Sequence, residues 1–81
     1  MSKLEIRQVL KIQDFLKSLK NYKKEFIINS LSTDSLILRS ENSQKISDII
    51  ASLNNSFETQ FKAIEETFLL DKTILVKIEY S

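Results

Sequence analysis

Eight apolar residues, Ile46, Ile49, Ile50, Leu53, Phe57, Phe61, Ile64 and Phe68, recur mainly three and four positions apart. One face of an α-helix needs that spacing, because the helix repeats every 3.6 residues. The pattern predicts a helix over 43–68, about 26 residues and roughly 39 Å long. Asn42 or Ser43 is placed to cap its start. Asn54-Asn55-Ser56 interrupts the middle with weak helix formers, whose side chains compete for backbone hydrogen bonds. A kink or a break into two helices is the alternative. The stripe stays in register across the interruption, and the propensity cost is only about a few tenths of a kcal/mol per residue. One helix, straight or bent, is therefore expected.

The other elements are arranged around that stripe. Leu4 and Ile6 alternate with Lys3, Glu5 and Arg7, as in a short strand. From Val9 the period changes, with Val9, Ile12, Phe15, Leu16, Leu19 and Tyr22 at helical spacing. The expectation is a strand at 2–8 followed by a helix at 10–22; a single helix from about residue 3 is the alternative, favoured by the lack of a turn residue between them. Glu25–Leu31 and Ser35–Arg39 are β-branched and aromatic runs flanking the polar Ser32-Thr33-Asp34. Together they read as a hairpin on a loop longer than two residues. Both of its faces carry apolar residues, Phe26, Ile28, Leu36 and Leu38 by one parity and Ile27, Leu31 and Ile37 by the other. A sheet with one wet face alternates more cleanly, so the second face is expected to be covered too, by a partner subunit if not by the chain itself. Lys72–Tyr80 alternates as a final strand. The expected architecture is one α+β domain over 1–81, a small antiparallel sheet with two helices on one face, in the order (β)αββαβ.

Composition narrows the chemistry. The 81 residues include no Gly, Pro, Cys or His. Turns must use Asp, Asn and Ser, and no Gly-rich phosphate loop can form. Disulfide staples and thiol chemistry are excluded, as are the commonest metal ligand and the side chain best suited to proton transfer near neutral pH. So small a core leaves a thin stability margin, which association often widens. No apolar run approaches bilayer length, and MSKLEIRQVL has no apolar signal region. A cytoplasmic protein is the expectation, with no membrane, cofactor, metal or small-molecule substrate.

Catalytic pairs are also lacking. Glu65-Glu66, read as helical, would diverge by about 100° and could not share a proton. The serines have no His to activate them. A non-enzymatic role is expected. Charge is uneven. Residues 1–24 carry seven bases and two acids, a balance of +5, and residues 25–81 carry five bases and nine acids, a balance of −4. Lys17, Lys20 and Lys24, with Lys23, form a basic side that can face RNA phosphates. Solvated lysines opposite an apolar stripe, neutralised across the fold, are the plainer account.

The segment Asp34-Ser-Leu-Ile-Leu-Arg39, followed by Ile46-Ser-Asp-Ile-Ile-Ala-Ser-Leu-Asn-Asn-Ser-Phe57 and Phe61, resembles the small dimerising (LAGO-domain) subunit of the KEOPS tRNA-modification complex. In that family a hairpin leads into a long helix with an Asn-Ser pair midway, a place that Asn55-Ser56 would take here. The likeness covers roughly residues 2–68, in the family's βαββα order. Two features depart from it. Ile49, Ile50 and Ala51 stand where the family often has an Arg, and residues 72–80 add a strand; a diverged paralogue would show both.

The resemblance implies a non-catalytic interaction subunit that dimerises and docks on the ATP-dependent subunit making threonylcarbamoyladenosine in tRNA. Its interface would be Leu53, Asn55, Ser56, Phe57, Phe61 and Ile64, with tRNA reached through the complex. A small phage- or plasmid-type inhibitor, a replication-type protein-interaction domain and a direct nucleic-acid binder are the competing classes.

Overall fold

The computed structural model describes residues 3–23 and 26–80, with backbone alone for 20–23. Six elements follow in order: α1 Ile6–Lys23, β1 Phe26–Leu31, β2 Ser35–Ser40, α2 Ser43–Phe57, β3 Lys62–Phe68 and β4 Ile74–Glu79. The protein is α+β, with two helices and a four-stranded antiparallel sheet ordered β1-β2-β4-β3.

The expected first strand does not form among residues 3–8. Helix α1 begins at Ile6, where Gln8 closes the start that no Ser or Asp was available to cap. Its side-chain oxygen accepts the Glu5 N–H at 2.9 Å, while the Glu5 carbonyl accepts from the Gln8 and Val9 N–H groups. This is the returning half of a capping box. What remains of the strand reading among the described residues is one backbone bond, from the Leu4 N–H to the Thr33 carbonyl at 2.9 Å. Residue 2, the first of the expected strand, lies outside the described residues.

The hairpin forms as expected, on a three-residue loop. Ser32 organises it. Its Oγ accepts from the N–H groups of Asp34 and Ser35, and its own N–H donates to the Ser35 carbonyl at 3.0 Å. A bulge at Asn29 then alters the parity argument. Leu31 pairs with Leu36 and so joins the face of Phe26, Ile28 and Leu38, while Ile27 and Ile37 stay on the opposite face.

The largest departure is in the long helix. Its start is as expected, with Asn42 Oδ1 accepting the Lys45 N–H at 2.9 Å. Its end is at Phe57. Glu58 adopts a left-handed conformation (φ 52°, ψ 49°), and the N–H groups of Glu58 and Thr59 both turn back to the Asn54 carbonyl. This is a Schellman-type stop, made without glycine. Residues 62–68, expected as helix, form a strand instead.

Strand β4 begins at Ile74, since Lys72 sits in the left-handed region (φ 69°) of the turn before it. Its odd and even residues separate the faces of the sheet. Ile74, Val76 and Ile78 are buried and pair with Ser40, Leu38 and Leu36 of β2. They form one cluster with Ile12 and Leu16 of α1, Ile46, Ile49 and Leu53 of α2, and Phe26, Phe61 and Tyr80. The rings of Phe15 (α1) and Phe57 (α2) meet edge-on, 5.5 Å apart at 80°. Burying such side chains contributes about 1.5–3 kcal/mol each.

Candidate interaction surface

The passage from α2 to β3 is set by one side chain. Asn54 Oδ1 accepts the Phe61 N–H at 2.8 Å and the Thr59 hydroxyl at 3.0 Å, and its Nδ2 donates to the Phe61 carbonyl at 3.0 Å. The polar interruption of the sequence is thus a clamp on the following chain. Phe61 is thereby held in the core against Tyr80, with ring centroids 4.9 Å apart.

Strand β3 leaves that clamp with β4 as its partner, and it forms one edge of the sheet. All seven of its residues are exposed. The register with β4 assigns their faces. Ala63, Glu66 and Phe68 pair with Ile78, Val76 and Ile74 on the core side, and Lys62, Glu65 and Thr67 pair with Glu79, Lys77 and Leu75 on the other. Ile64 is the extra residue of a bulge. The core thus stops short of β3, leaving Phe68 75% exposed, Ile64 46% exposed and Leu70, in the following turn, wholly exposed. Large apolar side chains exposed along an open strand edge mark a place where another chain can add.

The turn beyond β3 is held by its own hydrogen bonds. The Leu69 N–H donates to the Thr73 carbonyl at 2.9 Å, and Thr73 returns its hydroxyl and N–H to Asp71 Oδ1. The Thr73 hydroxyl, then its N–H, hold the Asp71 carboxyl below its ordinary value, and the charge of Arg39 adds to this. On the sheet face opposite the core, Arg39 lies in register between Ile27 and Leu75. Its Nε is buried and without a hydrogen-bond partner among the described residues.

Tyr80, buried beside Phe61, donates its hydroxyl to the Ser32 carbonyl at 2.8 Å, tying the chain's end to the hairpin loop. Burial, reinforced by the nearby charge of Asp34, pushes that hydroxyl up to about 12.

The residues expected to form an interface are scattered. Leu53 and Phe61 are buried in the core and Phe57 is half-buried against Phe15. Asn55 and Ser56 are exposed at the end of α2, and Ile64 is exposed on β3. Of the expected RNA-facing residues, Lys17 is exposed on α1, the side chains of Lys20 and Lys23 are not described, and Lys24 lies outside the described residues. Glu65 and Glu66 sit on opposite faces of a strand rather than on a helix, which separates their carboxylates by a different geometry. Sequence reasoning missed Phe68 and Leu70 as surface residues, having assigned the former to a helical stripe. The signal that could have found them is Asp71-Lys72-Thr73, a turn directly before an alternating strand, which calls for a hairpin partner at 62–68.

Among the described residues, no three His, Cys, Asp or Glu side chains group so as to hold a metal ion, and no helix is long and apolar enough to cross a membrane. Comparison with protein-family models, curated proteins and solved structures finds no match for this chain.

Proposed function

We propose that this protein is a non-catalytic protein-interaction subunit, and that its docking element is the margin formed by β3 and the turn after it. The observation that carries the reading is a seven-residue edge strand exposed on both faces, with Ile64, Phe68 and Leu70 uncovered. Adding a strand there supplies backbone hydrogen bonds along the edge, and covering the apolar side chains supplies the burial term.

A narrower form of the reading places the subunit in a tRNA-modification complex of the KEOPS type, acting by dimerisation and docking on the catalytic subunit. Its support is the resemblance around Asn55-Ser56, both exposed. Affinity purification from the native host, comparing the natural chain with Phe68→Asp, tests both forms. Proteins retained by the natural chain and lost by the variant support docking through β3. Equal retention by both chains overturns it. Recovery of no tRNA-modification subunit overturns the narrower form.

A further inference from the structure

Of the three charges on β3, two are answered within the sheet and one is not. Lys62 lies in register with Glu79, and Glu65 with Lys77, on the face away from the core. Opposite charges so placed stabilise a strand pair. Glu66 stands on the core side opposite Val76. Its carboxylate makes no hydrogen bond or ion pair among the described residues. Phe68, two residues on and on the same side, is 75% exposed.

The backbone singles out the same two residues. Pairs in an antiparallel ladder alternate between those that bond to each other and those whose N–H and C=O groups point away. The Leu69 N–H bonds to the Thr73 carbonyl. Thr67 and Glu65, two and four residues back, therefore turn their backbone groups to Leu75 and Lys77 of β4. Glu66 and Phe68 turn theirs outward, to the open edge. The bulge at Ile64 breaks the ladder on one side of this stretch and the turn after Leu69 bounds it on the other. A regular strand meets β3 at 65–68.

We propose that this edge takes an extended segment of another protein, antiparallel to β3, that reads apolar-x-basic from its N- to its C-terminal side. The apolar residue stands opposite Phe68 and the Lys or Arg opposite Glu66. Each exchanges backbone hydrogen bonds with its partner, because those are the positions whose groups face outward. Directly opposed side chains share a face, so the apolar residue covers the Phe68 ring and the cation meets the Glu66 carboxylate. All three strand pairs of the sheet are antiparallel, and such pairing is slightly more stable per residue than parallel pairing. An acidic residue opposite Glu66 would set like charges against each other.

The inference rests on the reading of β3 as the docking margin, and a charge swap separates the two. Three blocked peptides, TTVTKTT, TTVTETT and the reversed order TTKTVTT, are titrated into the 15N-labelled chain, with amide shifts followed by NMR. TTVTKTT is expected to move the Glu66 and Phe68 amides and to bind about fivefold more tightly than TTVTETT. Glu66→Lys, at an exposed position, is expected to reverse that order. The variant's own spectrum checks its fold; if the reversal disturbs it, Glu66→Gln should abolish the preference instead. Equal binding of the lysine and glutamate peptides, shifts confined to other residues, or no shifts at millimolar peptide overturns the proposed partner chemistry. Tighter binding of TTKTVTT overturns the antiparallel direction, and β3 amides that move with the chain's own concentration show a second copy there and overturn it too. If Phe68→Asp still loses host partners in any of these cases, the docking reading stands without this partner chemistry.

Discussion

The side-chain amide of Asn54 satisfies both backbone groups of Phe61, accepting its N–H at 2.8 Å and donating to its carbonyl at 3.0 Å. The same residue's own carbonyl receives the N–H groups that end α2. One asparagine thus stops a helix, turns the chain and aims it into the edge strand on which the proposed function depends.

Asn54→Ala removes three side-chain hydrogen bonds and leaves part-buried backbone groups to find new partners. A loss of about 2–3 kcal/mol is expected in urea unfolding. Asn54→Asp keeps the acceptor but opposes a carboxylate oxygen to the Phe61 carbonyl, and should not restore full stability. A loss below about 0.5 kcal/mol for the alanine variant would mean that the clamp does not hold the turn.

Leu53 and Phe68 belong to the same apolar series in the sequence, yet one is fully buried and the other 75% exposed. Leu53→Asp places an unpaired charge in the core and should unfold the domain. Phe68→Asp should change stability by less than about 0.5 kcal/mol, as exposed substitutions do. Thermal melts of the two variants make the comparison. A Phe68→Asp variant that unfolds would show β3 to be covered within the chain.

Tyr80 gives the fold an alkaline limit. Its hydroxyl is held at about 12, against 10.0 ordinarily, so the folded chain keeps a proton that the unfolded chain releases. The contribution is fully present below pH 10 and is lost as pH rises toward 12, on the order of 2 kcal/mol in all. Denaturation curves at stepped pH should show this decline, and Tyr80→Phe should flatten that part of it. The variant is also expected to be about 1 kcal/mol less stable at neutral pH, through loss of the bond to Ser32.

Glu58 and Lys72 hold left-handed backbone positions that glycine fills without strain. Glu58→Gly should stabilise the chain by about 0.5–1 kcal/mol, a rise of roughly 3–6 °C in Tm. Calorimetry that shows no rise would indicate that the Glu58 side chain makes a compensating contact.

The hairpin, the cap at Asn42, the body of both helices and the last strand are legible in the sequence because each is a local pattern. Apolar periodicity, β-branched runs and capping residues act within a few positions of one another. That locality also explains the failures. Ile6 begins a helix rather than continuing a strand, because Gln8 returns to cap Glu5 and no neighbouring strand is there to pair with residues 3–8. Phe61, Ile64 and Phe68 keep helical spacing, yet one is core and two are surface. Periodicity measures only what a helix would bury, whereas β4 needed a second neighbour to complete its ladder of hydrogen bonds. The sequence alone determined that the chain is a small α+β unit without thiol, imidazole or phosphate-loop chemistry. Only the tertiary structure decided that the apolar stripe splits at Asn54, since Phe61 is drawn into the core against Tyr80 and β4, itself paired with the distant β2, takes β3 as its other neighbour.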